Sequence, residues 1–223
     1  MAHDGVFEAP RPKTEGAGFQ INEEVIPDGE EPVPGRVFAV KFSRTDMSSK
    51  LGICLYDGAP ELTGIITEIS DKSLLRGTVV ETFDRLLAIN GRRVAEIDEL
   101  HKVLRSEMTF QCLVRRPKTY AFKIRKEGPL GVSLGFTSAE DRFLIIQGIQ
   151  EGIVKDLNSN YRDREIRRFD AIVSVNGKKG TAEQLVQLIE DTPQEHNNEI
   201  TFGMLRWFSK AEMEDLEMAI MGA

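Results

Sequence analysis

The sequence predicts a mainly β fold with a few helices, of the α+β class, and predicts that this fold occurs twice. The first observation is a repeat, because residues 51–55, Leu-Gly-Ile-Cys-Leu, are matched by residues 130–134, Leu-Gly-Val-Ser-Leu. The second is that residues 83–91 and 169–177 both begin with Phe-Asp and end with Asn-Gly. The third is an alternation of apolar residues with a period of two, which is typical of half-buried strands.

Both copies of the repeat have the same predicted order of elements. The first copy is expected to contain strands over residues 37–42, 51–56 and 64–69, a short helical piece near 71–75 and a helix over 97–106. The second copy is expected to contain strands over 120–125, 132–136 and 143–149, a helical piece near 153–158 and a helix over 182–190. In each copy a fourth strand ends at Asn-Gly, a strong turn signal, and a last strand follows the second helix.

Charge and composition divide the 223 residues into five parts. Residues 1–35 contain eight acids, two bases and five of the nine prolines. Such a segment buries too little surface to offset its ordering entropy, so we expect a disordered acidic arm, with a segment that lies along a partner as the alternative. The expected parts are the arm 1–35, a first domain 36–116, a short linker 117–118, a second domain 119–206 and an amphipathic C-terminal helix 207–223.

Composition excludes several classes of function. The net charge of −7 argues against nonspecific nucleic-acid binding. No apolar run approaches the roughly 20 residues that span a bilayer, and no secretory signal is expected. Two cysteines form no disulfide framework, and there is no zinc-spaced Cys/His cluster and no P-loop. We therefore expect a cytoplasmic protein without metal or cofactor, which reaches a membrane or a cytoskeletal assembly only peripherally, through its partners.

The repeated motifs resemble those of the PDZ domain family. The Gly-Leu-Gly-Phe-like loop of that family corresponds to residues 50–53, Lys-Leu-Gly-Ile, and 129–132, Pro-Leu-Gly-Val. The family's Gly-Asp-x-Ile-x-x-Val-Asn-Gly motif corresponds to residues 83–91 and 169–177. Both copies have Phe where the family usually has Gly before Asp, which leaves the geometry of that turn open. The resemblance covers about residues 36–116 and 119–206, and it implies two partly open β-barrels, each of five to six strands capped by two helices.

The resemblance also implies where a ligand binds. PDZ domains add an extended peptide to the edge of their second strand, while the glycine loop holds the terminal carboxylate of the peptide. In the first copy the implied loop and groove residues are Lys50, Leu51, Gly52, Ile53, Cys54 and Leu55. In the second copy they are Pro129, Leu130, Gly131, Val132, Ser133 and Leu134. A nearby cation adds to the carboxylate field, and the candidates are Lys50 in the first copy and Arg125 or Lys126 in the second, with solvated surface charge as the alternative.

The second helix of each copy forms the other wall of the implied groove. Its first groove-facing residue selects the third residue from the end of the ligand, and we place Ile97 and Ala182 at this position. His101 and Val186 fall one turn later, and Leu104 and Ile189 follow them. His101 also fits an exposed helix residue without a ligand. Without a histidine at the selecting position, both copies are expected to prefer an apolar ligand side chain there.

The sequence therefore predicts a non-enzymatic tandem PDZ scaffold that binds the C-terminal tails of other proteins, with its oligomeric state open. The alternative is a structural subunit of a large assembly, in which the domains, arm and tail helix are permanent contacts. A third interpretation is a regulatory module that acts on a protease in trans. Residues 131–135, Gly-Val-Ser-Leu-Gly, also match the nucleophile elbow of hydrolases, but their alternation predicts a continuing strand.

Two further segments carry alternatives. In the tail, Ser209 and Glu212 have the spacing of a capping box, and Met213, Leu216 and Ile220 fall on one helical face. This helix is expected to pack on the second domain, with docking to a partner or entry of the free end into a groove as alternatives. The charged stretch 158–168 is expected to form a salt-bridged loop, with a contact to a lipid headgroup or phosphate as the alternative.

Overall fold

The computed structural model describes residues 24–94, 96–161, 165–191 and 198–221. Residues 24–116, here the first half, contain β1 (Val37–Ser43), β2 (Ile53–Leu55), β3 (Ile66–Ile69), β4 (Arg85–Ile89), β5 (Arg92–Arg93), α1 (Ile97–Ser106) and β6 (Thr109–Arg115). Residues 118–206, the second half, contain β7 (Lys118–Arg125), β8 (Val132–Gly135), β9 (Leu144–Ile149), α2 (Ile153–Asn160), β10 (Ala171–Val175), α3 (Ala182–Glu190) and β11 (Glu199–Arg206). The tail forms α4 (Lys210–Met221). The predicted mainly β fold with helices is confirmed.

The strands pair in open antiparallel sheets. In the first half β1, β6, β4 and β5 form one sheet in that order, and β2 pairs with β3 in a separate two-stranded sheet. In the second half the order is β7, β11, β10, β9 and β8. Over the described residues neither set of strands closes into a barrel, which corrects the expected barrel shape. Because β2 and β8 each pair on one side only, both are edge strands.

The two longer helices of the repeat begin and end where the sequence predicts. α1 buries Leu100 and Leu104 in the first core, and α3 begins with a capping box between Thr181 and Gln184. The shorter helical pieces differ between the halves. Residues 153–160 form the α-helix α2, whereas the first half has short 3-10 turns at Pro60–Leu62 and Leu74–Gly77. The expectation of two helices per copy therefore holds in the second half and is wrong for the first.

Two phenylalanines occupy left-handed backbone conformations at equivalent turns. The φ angle is 77° at Phe83 and 67° at Phe169, in the region that glycine adopts freely and bulky residues avoid. The turn geometry that the sequence left open is therefore the glycine-like one. Such a conformation costs of order 1–3 kcal/mol unless its surroundings stabilise it.

A largely buried ion pair anchors each of these turns to the end of the last strand of its half. Arg116 contacts both carboxylate oxygens of Asp84, from Nε at 3.0 Å and from Nη2 at 2.9 Å. Arg206 contacts Asp170 in the same way, at 2.7 and 2.6 Å. Bidentate pairs of this kind fix orientation as well as distance. They hold both phenylalanine turns in the same position relative to the sheets.

The strained phenylalanines belong to a third hydrophobic core that joins the two halves. Each half has its own hydrophobic core, and a third cluster takes residues from both halves and from the tail. Its members are Tyr56, Leu62 and Ile65 of the first half, Phe143, Ile145, Phe169, Ala171 and Leu205 of the second, and Trp207, Phe208 and Met213 of the tail. Phe83 packs against this cluster. Burial of these aromatic side chains stabilises one arrangement of the halves.

The tail helix lies against this shared core. Its predicted capping box is confirmed, because Ser209 N–H donates to Glu212 Oε2 at 2.7 Å and Glu212 N–H donates to Ser209 Oγ at 3.2 Å. Met213 is buried and Leu216 is half-buried in the shared core, while the side chain of Ile220 lies outside the described residues. Glu212 also accepts a hydrogen bond of 2.6 Å from Arg115 of the first half. The helix therefore contacts both halves rather than the second alone.

The described structure begins before the predicted domain boundary at residue 36. Ile26 forms a parallel bridge with Phe38, in which Ile26 N–H donates to Val37 O and Ala39 N–H donates to Ile26 O. Arg36 pairs with Glu24. Within the predicted arm, Ile26 therefore lies along β1, the chain from 27 to 35 forms turns that are mostly exposed, and residues 1–23 lie outside the described residues.

Candidate functional site

A groove of about 500 Å³ runs between β2 and α1 in the first half. Its wall on the strand side is an exposed sheet edge, and its other wall is an amphipathic helix. The predicted residues Lys50, Leu51, Gly52, Ile53, Cys54, Leu55, His101 and Leu104 all line it. The remaining predicted residue, Ile97, begins α1, and its side chain lies outside the described residues. The structure therefore brings the sequence-predicted residues of the first copy together.

The glycine loop at the start of β2 is built around a close backbone approach. Gly52 has a φ of 68°, and a Cβ at this position would lie 2.9 Å from Ser73 Cα. The loop carbonyls are used internally, because Leu51 O accepts from Ser73 Oγ at 2.6 Å and Gly52 O accepts from Ser70 N–H at 2.8 Å. These bonds hold the loop in one conformation.

Positive charge collects where the loop meets the end of α1. Arg44, Lys50 and Arg105 line this part of the groove. Arg44 is buried, with its guanidinium carbon 5.6 Å from the centroid of the Phe110 ring, and its Nη2 donates to Arg105 O at 2.8 Å. A cation at the C-terminal end of a helix is stabilised by the helix dipole. This end of the groove is suited to an anionic group.

Arg44 is a groove residue that the sequence analysis missed. It directly follows β1, as Lys126 directly follows β7, and Lys126 was named as a candidate. Lys126 makes the equivalent contact, because its Nζ donates to Ile189 O at 2.7 Å near the end of α3. Aligning β1 with β7 places Arg44 at the position of Lys126 and would have identified it. In the sequence alone, the cation next to the glycine motif is Lys50, and Lys50 was therefore named instead.

The second half builds an equivalent glycine loop. Gly131 has a φ of 71°, and a Cβ there would lie 2.7 Å from Glu151 O. Pro129 O and Leu130 O accept hydrogen bonds from the first N–H groups of α2, at 3.1 and 3.0 Å. The loop carbonyls thus accept hydrogen bonds from backbone N–H groups of the first turn of α2, which have no partner within the helix.

The groove-facing residues of the second half are half-buried or buried. Leu130, Val132, Leu134 and Val186 are half-buried and pack against the second core, and Ser133 lies between them. Ile189 is buried and Ala182 is completely buried. Ala182 therefore does not present its side chain at the groove surface, contrary to the sequence-based placement, because the start of α3 packs directly on the core. Arg125, the other candidate cation, pairs with Glu127 at the surface.

A backbone hydrogen bond closes the far end of the second groove. β8 starts beside Gly131, so the loop that follows β8 lies at the end remote from the glycine loop. Ala182 N–H, at the start of α3, donates to Asp141 O of that loop at 2.5 Å. A peptide added along β8 would therefore meet this connection. The first groove is the more open of the two.

The described residues do not form the other sites that the sequence raised as candidates. Ser133 pairs with Gly148 in the ladder between β8 and β9, so the strand continues where a nucleophile elbow turns sharply into a helix. His196 and residues 162–164 of the charged stretch lie outside the described residues. In the part of the chain that the structure describes, no group of His, Cys, Asp and Glu is arranged to hold a metal ion, and no helix is long and apolar enough to cross a bilayer.

Comparisons with known proteins give a likeness to solved structures only. No family model matches the sequence, and no curated protein matches it. A structure of INAD PDZ45 in complex with an NG2 peptide has 17% sequence identity and a TM-score of 0.35, over 79% of this chain and 92% of that chain. A complex of INAD PDZ45 and NORPA CC-PBM has 16% identity and a TM-score of 0.33, over 79% and 94%. The geometry of the first groove, rather than this likeness, supports the function proposed below.

Proposed function

We propose that this protein is a non-enzymatic adaptor that binds the C-terminal tails of other proteins by strand addition. The observation that carries the proposal is the free edge of β2, which faces α1 across an open groove with cations at one end. An unpaired strand edge offers a row of N–H and C=O groups to an incoming strand. The groove between the edge and the helix then receives alternate side chains of the peptide.

The positive end of the groove gives the ligand its direction. A terminal carboxylate fits beside Gly52, where the backbone of the loop turns and where Arg44 and Lys50 supply positive charge. Hydrogen bonds to a charged group contribute about 1.5–3 kcal/mol, more than those to a neutral group. A free C-terminus therefore binds more tightly than an internal segment of the same sequence.

The apolar wall of the groove sets the side-chain preference. Ile53 and Leu55 are half-buried, and Leu104 of α1 is buried behind them. These side chains favour an apolar last residue. The sequence-based expectation of an apolar third residue from the end remains part of the proposal.

The two repeats, 36–116 and 119–206, are proposed as two binding units held in one orientation by the shared core and the tail helix. The first groove is the principal site, because the far end of the second is closed by the bond between Asp141 and Ala182. The same packing favours an adaptor over a subunit wedged into a large assembly. In the latter, the tail and arm contact neighbouring proteins, whereas Met213 and Ile26 here pack within the chain.

The proposal is tested with a library of C-terminal peptides, each made as the free acid and as the amide. The chain is compared with two matched variants, Gly52→Val and Gly131→Val, because both glycines have positive φ and tight surroundings. We expect the amide to bind about tenfold or more weakly than the acid, and binding to be lost in Gly52→Val but retained in Gly131→Val.

A third variant, Lys50→Glu, tests the carboxylate site with a change that is not expected to disturb folding. Lys50 is exposed, so this change leaves the fold intact while it reverses one charge at the carboxylate end. Weaker binding of the free acid by this variant supports the proposal. Equal binding of acid and amide, or no binding of any peptide by the unchanged chain, overturns it.

A further inference from the structure

The outer face of the groove strand carries an acidic side chain. Cys54 in β2 pairs directly with Glu68 in β3, and Cys54 Sγ lies 3.9 Å from Glu68 Oε2. Both residues are exposed, whereas Ile53 and Leu55, on either side of Cys54, are half-buried. Because successive residues of a strand face opposite sides and paired residues share a side, Cys54 and Glu68 lie on the face turned away from the core.

The direction of the ligand decides which of its residues reaches this face. The proposed carboxylate site lies at the start of β2, so the peptide runs back along β2 in the antiparallel sense. Its last side chain points into the groove, on the same side as Ile53 and Leu55. Its penultimate side chain then points to the outer face, opposite Cys54.

The distance to Glu68 suits a long side chain. Neighbouring strands lie about 4.8 Å apart, so two strand spacings of about 10 Å separate the penultimate residue from Glu68. The residue between them, Cys54, is short. A Lys or Arg side chain passes over Cys54 and meets the carboxylate of Glu68, whereas a shorter cation falls short.

The charges that line the groove support this assignment. Among the described residues that line it, Glu68 is the single acid, while Arg44, Lys50 and Arg105 are cations at the carboxylate end. The groove therefore has a positive end for the terminal carboxylate and a negative position one residue back along the outer face. We propose that Glu68 selects Lys or Arg as the penultimate residue of the ligand. This inference rests on the proposed function and names its ligand class more closely.

The second half supplies an internal comparison. Its equivalent of the Cys54–Glu68 pair is Ser133 paired with Gly148, and neither carries a charge. The preference for a penultimate cation therefore belongs to the first groove alone. It gives the two repeats different ligand classes despite their similar glycine loops.

The test uses three peptides that differ only at the penultimate residue, Lys, Ser or Glu, each as free acid and amide. Exposed ion pairs contribute little, so we expect the Lys peptide to bind the unchanged chain about two- to fivefold more tightly than the Ser peptide, and the Glu peptide to bind more weakly still. The difference is expected to shrink in high salt.

The decisive variant is Glu68→Lys, with Glu214→Lys as the control for net charge. Glu214 is exposed on the tail helix rather than beside the groove. Glu68→Lys is expected to reverse the order so that the Glu peptide binds best, and Glu214→Lys to leave the order unchanged. Thermal unfolding of both variants checks that these exposed changes preserve the fold.

The possible results separate the inference from the proposed function. Binding that requires the free acid but is equal for the three penultimate residues overturns the role of Glu68 and leaves the adaptor intact. An order that persists in Glu68→Lys does the same. Equal binding of acids and amides, or no binding, overturns both.

Discussion

The indole Nε1 of Trp207 donates a hydrogen bond of 2.8 Å to the backbone carbonyl oxygen of Phe83. Phe83 belongs to the first repeat, and Trp207 follows the last strand of the second. Trp207 is almost completely buried, and its own carbonyl oxygen accepts from Arg115 of the first half at 2.8 Å. The contact therefore ties the left-handed turn of one repeat to the chain that leaves the other.

Replacing Trp207 by Phe is expected to lower the free energy of unfolding by about 1–3 kcal/mol, because the Phe83 carbonyl loses its donor in a buried site. The measurement is chemical denaturation of the variant and the unchanged chain. Tyr161→Phe is the control, because Tyr161 is exposed and its change is expected to have no effect. A Trp207→Phe variant as stable as the unchanged chain contradicts the importance of this contact.

Changing the strained phenylalanines to glycine separates backbone strain from packing. Relief of strain stabilises by of order 1–3 kcal/mol, while loss of a buried phenyl ring costs about 3–5 kcal/mol. Phe169 is 2% exposed and Phe83 is half-buried. We therefore expect Phe169→Gly to be destabilising and Phe83→Gly to be closer to neutral, measured by denaturation. If Phe83→Gly is more destabilising than Phe169→Gly, the larger packing contribution does not belong to Phe169.

Glu212 of the tail helix is expected to be more sensitive to substitution than its neighbour Glu214. The side chain of Arg115 is 3% exposed beside Glu212, and breaking a buried ion pair by removing one charge is costly. Glu212→Gln is expected to cost about 3 kcal/mol, whereas Glu214→Gln, which loses only a surface contact with Lys210, is expected to change stability by less than about 0.5 kcal/mol. If both changes alter the free energy of unfolding equally, the contact between Glu212 and Arg115 does not contribute to stability beyond a surface ion pair.

The two cysteines are expected to differ sharply in reactivity. Burial raises the pKa of the Cys112 thiol to about 12, and the thiolate is the reactive form, so Cys112 stays protonated and inert at pH 8. Cys54 is exposed on the groove strand. Alkylation of the folded chain at pH 8 is expected to modify Cys54 alone, and denaturant is expected to expose Cys112. Modification of Cys112 in the folded chain contradicts its described burial.

The elements of the repeat were predictable because local patterns determine them. The helical spacing of apolar residues predicts both α1 and α3 without knowledge of their neighbours. The glycine motifs placed Gly52 and Gly131 at the start of the groove strands, and the structure shows both with positive φ and close backbone contacts.

The contacts between the repeats were not predictable from such patterns. Phe83 and Phe169 stand out in the sequence as replacements of a turn glycine, and only their position against the shared core accounts for them. The burial of Ala182 depends on how the start of α3 packs, which helical spacing alone does not reveal. Ile26 forms a single bridge inside a Pro- and Gly-rich acidic segment, so composition hides it.

The central claim is that a peptide adds as a strand to β2, and hydrogen exchange of the backbone amides with and without a bound free-acid peptide tests it most directly. Strand addition protects amides at the edge that it covers. The account predicts new protection at residues 51–55, weaker with the peptide amide at the same concentration, and little change at residues 130–135. Protection confined to the second half, or bound peptide without protection at residues 51–55, would contradict strand addition in the first groove.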